Sequence, residues 1–272
     1  MHVQINEFAP GECLKPFVAQ FWSGDFNLPG GNSLRQRVVP NGYVELVIHL
    51  TDQHCDLKKG GSWMASPEYT IIGLHTSAYE VQFCDNVQVF GIRFKPEGFF
   101  RVFGLPAAEF GNTFDDIGQV AGREFSSFCS QLKHSADLLQ MLYLSEDYLW
   151  KRLKKNQKQR QDYLNHAAEI IRQSNGFIRM EELAKQIFIS PRQLERSFKR
   201  QIGISPKHYM RIARLNEVQR QLERAAKFDF TGLSYECGYS DQAHFIRDFR
   251  RFTGEKPSAF VKNRGQFIVN AR

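Results

Sequence analysis

Two stretches of the chain repeat one pattern 51 residues apart, and this repeat limits the fold more than any other feature. Ser190-Pro191-Arg192-Gln193-Leu194-Glu195-Arg196-Ser197-Phe198-Lys199-Arg200 aligns with Asp241-Gln242-Ala243-His244-Phe245-Ile246-Arg247-Asp248-Phe249-Arg250-Arg251. The alignment continues through Gly203/Gly254, Pro206/Pro257 and Tyr209/Phe260. Each copy opens on a residue whose side-chain oxygen can cap a helix. Each carries apolar residues four and eight positions later, an arginine at six, and a basic pair after the second apolar residue. Positions four apart share a helix face. Leu194 with Phe198, and Phe245 with Phe249, are therefore predicted to face a core. Arg192, Glu195 and Arg196, and in the second copy Gln242, Ala243 and Arg247, are predicted to face outward.

A short helical segment precedes each copy. Met180–Gln186 leads through a turn around Phe188 into Ser190–Gln201. Gly232–Cys237 leads through Gly238-Tyr239-Ser240 into Asp241–Phe252. A short helix, a tight turn and a second helix make a helix-turn-helix, whose second helix lies in the DNA major groove. Such helix pairs also occur as plain packing units. Two basic copies in one segment favour the nucleic-acid reading.

Charge supports it. Residues 1–150 hold 10 Lys+Arg against 17 Asp+Glu, a net of −7, whereas residues 151–272 hold 26 against 12, a net of +14. Such asymmetry implies one acidic domain and one that meets a polyanion. Phosphate neutralisation releases condensed counterions, so nucleic acid is the leading partner.

The sequence predicts an α+β chain of two domains. Residues 1–150 form a mostly antiparallel β domain, a barrel or sandwich, with added helices. Residues 151–161, basic and polar, form a linker. Residues 162–272 form an all-α domain with the two helix-turn-helix units. Candidate strands are Phe17–Trp22, Arg37–Val39, Val44–Leu50, Tyr69–Leu74, Ala78–Phe83 and Val87–Phe94, short runs between turn signals. Pro96–Phe103 reads as a short helix stopped by Gly104, and Glu124 to Lys155 as two helices. Pro206 opens a long helix predicted to run to Lys227.

Five scattered cysteines (Cys13, Cys55, Cys84, Cys129, Cys237) without a C-x-x-C pair point to reduced thiols. No leader peptide or membrane span is expected, and the expected location is the cytoplasm. His49, His54, Cys55, His75 and Cys84 lack metal-ligand spacing, so no metal, cofactor or catalytic residue is assigned. No basic neighbour marks a reactive thiol. Phe8, Phe17, Trp22, Tyr43, Trp63, Phe83, Phe90 and Phe94 supply either an apolar pocket or ordinary core.

The stretch Ser190 to Lys199 with Gly203, Pro206 and Tyr209 resembles the first helix-turn-helix of AraC/XylS regulators. Cys237-Gly238-Tyr239-Ser240-Asp241-Gln242-Ala243-His244-Phe245 through Arg247, Phe249, Gly254 and Pro257 resembles that family's signature in the second. The resemblance covers roughly residues 162–263. It departs at Leu233-Ser234, where the family usually has Ile-Ala, and at Glu195, an acidic residue on a reading face. It implies two helical subdomains that read adjacent major-groove segments of double-stranded DNA. By matching position it assigns base contacts to Arg192, Glu195, Arg196, Gln242, Ala243 and Arg247. Those types suit the work: Arg to guanine, Gln to adenine, Glu to cytosine, Ala to a thymine methyl. Lys199, Arg200, Arg250, Arg251 and Lys256 are assigned to phosphate.

The first half weakly resembles the cupin-like domains of one branch, through Pro16-Phe17 to Phe21-Trp22 and Val39-Pro40-Asn41-Gly42-Tyr43-Val44-Glu45-Leu46. That implies an effector-sensing or dimerising domain, and the family resemblance implies work with RNA polymerase; activation is the expected sign, and the sequence does not separate it from repression. The effector is unidentified, and a homodimer through the Glu124–Lys155 helices is expected. Three classes stay open: a ligand-responsive regulator, a regulator controlled by a partner protein, and an enzyme fused to a DNA-binding module.

Overall fold

The computed structural model describes residues 2–156, 162–224 and 229–268. Its first half is built on two long strands. β1 (His2–Phe8) pairs antiparallel with β2 (Val18–Val38), which pairs along its length with the later Tyr79–Phe94 strand. Between them in sequence lie β3 (Val44–His49), β4 (Asp56–Lys59), β5 (Ser62–Ala65) and β6 (Tyr69–Ile72). Tyr79–Phe94 is β7, and β8 (Phe114–Asp116) closes one edge. The order is β1-β2-β7-β3-β6-β8; the β4–β5 hairpin attaches to the early part of β7. β7 therefore carries β3 on its later half and β4 on its earlier half, and the sheet folds round on itself.

Several predicted strands are corrected. Phe17–Trp22 and Arg37–Val39 are the two ends of the single strand β2, which breaks register between Leu28 and Ser33. Gly30 and Gly31 sit in that break at φ 79° and 74°, a region a side chain disfavours. Ala78–Phe83 and Val87–Phe94 likewise merge into β7 across Asp85, itself at φ 55°.

Alternation then divides the sheet into two faces. Val44, Leu46, Ile48, Ile71, Phe90, Ile92 and Phe94 lie on the outer face. They share a core with α1 (Pro96–Phe103), α2 (Gly118–Lys133) and α3 (Leu138–Lys155), which contribute Phe99, Phe103, Phe125, Phe128 and Leu149. Glu45, Val47, His49, Phe26, Val81, Val89 and Arg93 lie on the inner face. α3 is capped by Asp137, whose carboxylate accepts from Gln140 N–H at 2.8 Å.

The second half is helical. α4 (Asp162–Gln173), α5 (Met180–Gln186), α6 (Pro191–Gln201) and the first turns of α7 (Pro206–Arg224) continue the outer-face core through Leu164, Ile171, Leu183, Leu194, Phe198 and Tyr209. The rest of α7 joins α8 (Phe230–Glu236), α9 (Gln242–Thr253) and α10 (Pro257–Lys262) in a second core of Ile212, Leu215, Val218, Leu222, Phe245, Phe249 and Phe260. One helix thus contributes to both. Arg172 of α4 bonds Glu97 of α1 at 2.5 Å and Tyr209 of α7 at 2.9 Å, joining the halves of the chain. The predicted linker begins as helix: Lys151 and Lys155 end α3, paired with Asp147 and Glu124. Its residues 157–161, and Lys227 at the predicted end of α7, lie outside the described residues.

Candidate nucleic-acid interface

The two units are built alike. Ser190 and Asp241 cap α6 and α9, accepting from Gln193 N–H at 3.2 Å and His244 N–H at 2.7 Å. Pro191 fills the first turn of α6. Gly203 (φ 93°) and Gly254 (φ 82°) follow the two helices. Leu194, Phe198, Phe245 and Phe249 are fully buried, as the four-residue spacing predicts. Arg192, Glu195, Arg196, Gln242, Ala243 and Arg247 are all exposed, and so are Lys199, Arg200, Arg250, Arg251 and Lys256. The first ten lie on α6 or α9, and Lys256 is the N-cap of α10.

The turns differ. Phe188 N–H bonds Lys185 O and Ile189 N–H bonds Ala184 O; in the second unit Gly238 bonds Tyr235 and Tyr239 bonds Ser234. The leading helices therefore correspond at an offset of 50, and the reading helices at 51. Ser240 is the inserted residue. The left-handed turn position falls on Gly238 (φ 67°) in one unit and on Phe188 (φ 56°) in the other. Phe188 is 94% exposed.

Anchoring differs too. Ser197 and Asp248 are the same repeat position, and both are buried. Ser197 Oγ lies 3.0 Å from the Tyr163 hydroxyl of α4. Asp248 accepts two bonds from Arg211 of α7, at 2.8 and 2.5 Å. Glu195 pairs with Lys199 at 2.9 Å, and this bond lowers the Glu195 carboxyl below its ordinary range. Lys199, assigned to phosphate, therefore sits on a carboxylate in the DNA-free chain. Ser234, where an alanine was expected, is fully buried and donates to Thr231 O at 2.8 Å, so its hydroxyl is satisfied.

The folded sheet encloses a second feature, a cavity of about 70 Å³. Of the eight aromatics considered from sequence, Trp22 and Phe83 line it. Phe90 and Phe94 face the helices instead, because they alternate with Val89 and Arg93. Arg93 is buried and bonds Glu45 at 2.9 Å and Gln20 at 2.6 Å. His49, Cys55 and Ser66 meet at the wall, with Ser66 Oγ 3.1 Å from His49 Nε2 and Cys55 Sγ 3.5 Å from it. Burial drives the His49 imidazole down to about 4 and the Cys55 thiol up to about 11, so both are neutral at pH 7. A neutral buried thiol is a poor nucleophile. Among the described residues no three His, Cys, Asp or Glu side chains form a group that could hold a metal ion.

Residues 183–263 match the family model of a helix-turn-helix domain. Over 91 residues, 34% of the chain, the sequence is 33% identical to the HTH-type transcriptional activator RhaS of Escherichia coli strains E24377A and SE11. A solved structure of a probable AraC family transcriptional regulator from Rhodopseudomonas palustris is 30% identical over 39% of this chain and 98% of its own, with a TM-score of 0.35. The C-terminal segment carries an AraC-type helix-turn-helix domain. The match spans about a third (32%) of the RhaS relatives' length. Residues 6–114 match a domain of unknown function, DUF6597. ToxT from Vibrio cholerae aligns over 89% of this chain and 98% of its own, at 8% identity and a TM-score of 0.47.

In this AraC-type domain the residues that sequence reasoning missed are those that aim the helices. Asp248 is acidic inside a basic helix, and its offset from Ser197 was the available signal. Arg211, four residues before Leu215 on α7, carried none, because its partner is 37 positions away.

Proposed function

We propose that the chain is a sequence-specific DNA-binding transcription regulator whose helices α6 and α9 read adjacent major-groove segments. The observation that carries this is the shared placement of all six nominated reading residues on the exposed faces of two equivalently capped helices. Arg192, Glu195, Arg196, Gln242, Ala243 and Arg247 read base edges, and Lys199, Arg200, Arg250, Arg251 and Lys256 hold phosphates. Residues 162–272 are the DNA-binding unit, 151–161 the joint, and 1–150 the sensor and dimerisation unit. By analogy with RhaS, named an activator, the chain activates transcription with RNA polymerase in the cytoplasm. None of the described helices is long and apolar enough to cross a membrane.

The test is selection of binding sites from random double-stranded DNA. Arg196→Ala should relax preference at one position and lower affinity by about 1–3 kcal/mol. An unchanged binding profile would refute the assignment. For dimerisation the surface is α3, where Leu139 and Tyr143, 76% and 71% exposed, stand four residues apart with Trp150 one turn pair further. A second copy would cover them. Leu139→Glu should leave a monomer in sedimentation equilibrium, and an unaltered mass rejects this face.

A further inference from the structure

The two helix-turn-helix units touch directly, away from the helix that joins them. The chain leaves α4 through a tight corner, where Gly176 N–H donates to the Ile171 carbonyl and Phe177 N–H to that of Ser174, both at 2.8 Å. Asn175 and Gly176 both have positive φ, 48° and 75°. Gly176 lies flat on α7, and a Cβ there would collide with the Met210 carbonyl oxygen. Its own carbonyl accepts from Arg214 Nε of α7 at 3.0 Å. Backbone contacts thus pin the corner to α7. The next two side chains go separate ways. Ile178 enters the core that holds α5 and α6, whereas Phe177 stays outside it, 43% exposed.

Phe177 meets the turn of the second unit. A Cβ on Gly238 would fall 2.6 Å from Cδ1 and Cε1 of the Phe177 ring, closer than real side chains approach. Gly238, at φ 67°, therefore has two uses: it makes the left-handed turn, and it leaves a bare surface for the ring. Its neighbours carry the contact onward. Cys237 and Tyr239 are buried in the second core, and the Tyr239 ring stands 5.3 Å from those of His244 and Phe245 in the first turn of α9. Helix α9 is thus held at two points, near its middle by the Asp248 bonds to Arg211 and at its start by Phe177 acting through the turn. At the equivalent turn of the first unit the position is Phe188, with its ring in solvent.

A long helix bends, so α7 alone leaves some freedom between the units. A contact set off its axis removes that freedom. We propose that Phe177 is a positioning residue for DNA reading: its ring, seated on Gly238, holds α9 at a fixed angle to α6, so that both helices meet their groove segments together. This rests on the two-segment reading proposed above. Preorganisation of this kind raises the effective concentration of α9 at its segment once α6 is engaged. Phe177 should therefore matter when both segments are present and not when one is missing.

Full-length wild type, Phe177→Ala and Phe177→Leu are titrated by fluorescence anisotropy against three duplexes: the site selected by the wild-type chain, and that site with one or the other segment scrambled. Phe177→Ala should bind the full site at least about fivefold more weakly, and each half-scrambled site within about 1.5-fold of wild type. Phe177→Leu, which keeps an apolar contact, should fall between the two on the full site. Equal weakening on all three duplexes, or none on the full site, overturns the proposal. A second measurement needs no DNA. In urea, Gly238→Ala should raise the unfolding equilibrium constant at least about fivefold more in the wild-type chain than in Phe177→Ala, where the ring is gone and only backbone strain remains. Equal costs in the two backgrounds overturn the contact. A wild-type chain that selects no site refutes the DNA reading, and the positioning role falls with it. A selected site that Phe177→Ala binds like wild type refutes the positioning role alone.

Discussion

Salt dependence offers the sharpest quantitative check on which cations meet DNA. Much of the positive charge in the second half is engaged elsewhere. Arg172 is bound to Glu97, Arg211 to Asp248 and Arg220 to Glu217. Arg200, Arg250, Arg251 and Lys256 are exposed and in none of the ion pairs among the described residues, and Lys199 is held only by a surface pair with Glu195. Five phosphate contacts give a slope of log affinity against log salt of about −4.5, at roughly −0.9 per contact. Affinity should then fall about 500-fold between about 50 and about 200 mM salt. The double variant Arg250→Ala/Arg251→Ala removes two contacts. Its slope should be about −2.7 and its loss over the same range about 40-fold. Fluorescence anisotropy of a labelled duplex, titrated at a series of potassium chloride concentrations, measures both. The specific site and a scrambled duplex should show the same change of slope, since phosphate contacts carry no sequence information. An unaltered slope in the double variant would refute the phosphate assignment, however much the affinity itself changed.

Three other outcomes follow from the geometry. Phe188 sits at φ 56° with its ring in solvent, where its repeat counterpart is glycine, so Phe188→Gly should stabilise the chain by about 1 kcal/mol in urea unfolding; a loss would show that the ring has a packing role. Asp248→Ala strands the Arg211 guanidinium and should cost about 2–3 kcal/mol, below the roughly 3–5 of a fully buried pair because Arg211 keeps some contact with water. DNA affinity should fall with it, because α9 loses its anchor to α7, and wild-type affinity at full folding would refute that role. His49 and His75 are both held down to about 4, first by burial, from an ordinary 6.5. The unfolded chain therefore takes up their protons first as pH falls. Their stabilisation is complete above about pH 6.5 and is lost towards pH 4, with roughly 4 kcal/mol gone from the two by about pH 5. Replacing His75, stacked on Phe114 at 4.8 Å, by Phe should halve that dependence in denaturant titrations at the two pH values; an identical pH slope argues against a buried neutral imidazole there.

The helical half was legible because its signals are local. Caps, glycine stops and four-residue spacing lie within a dozen residues, and each corresponds to an observed bond or buried ring. In the sheet the strands were visible only where one face is apolar. β1 is mostly exposed and offers only Val3 and Ile5 as an apolar alternation, and the Lys58-Lys59-Gly60-Gly61 corner of the β4–β5 hairpin breaks the expected pattern. The merging of four predicted runs into β2 and β7 depends on pairing over their whole length, which no short window contains. The cavity was still less accessible. Its ion pair joins Glu45 to Arg93 across 48 positions, and its wall includes Ile268. Phe90 and Phe94 were indistinguishable in type from Phe26 and Phe83; only the phase of alternation decides which pair faces inward.

Helix α7 supplies Tyr209 and Met210 to one core and Leu215, Val218 and Leu222 to the other. A shaft embedded at both ends fixes the angular phase between what it carries. Operators for such a protein should therefore be intolerant of spacing. One base pair inserted between the two recognised segments turns the second by about a tenth of a helical turn. The protein has no swivel at that point to follow it, so the insertion should weaken binding more than a substitution at any single recognised base.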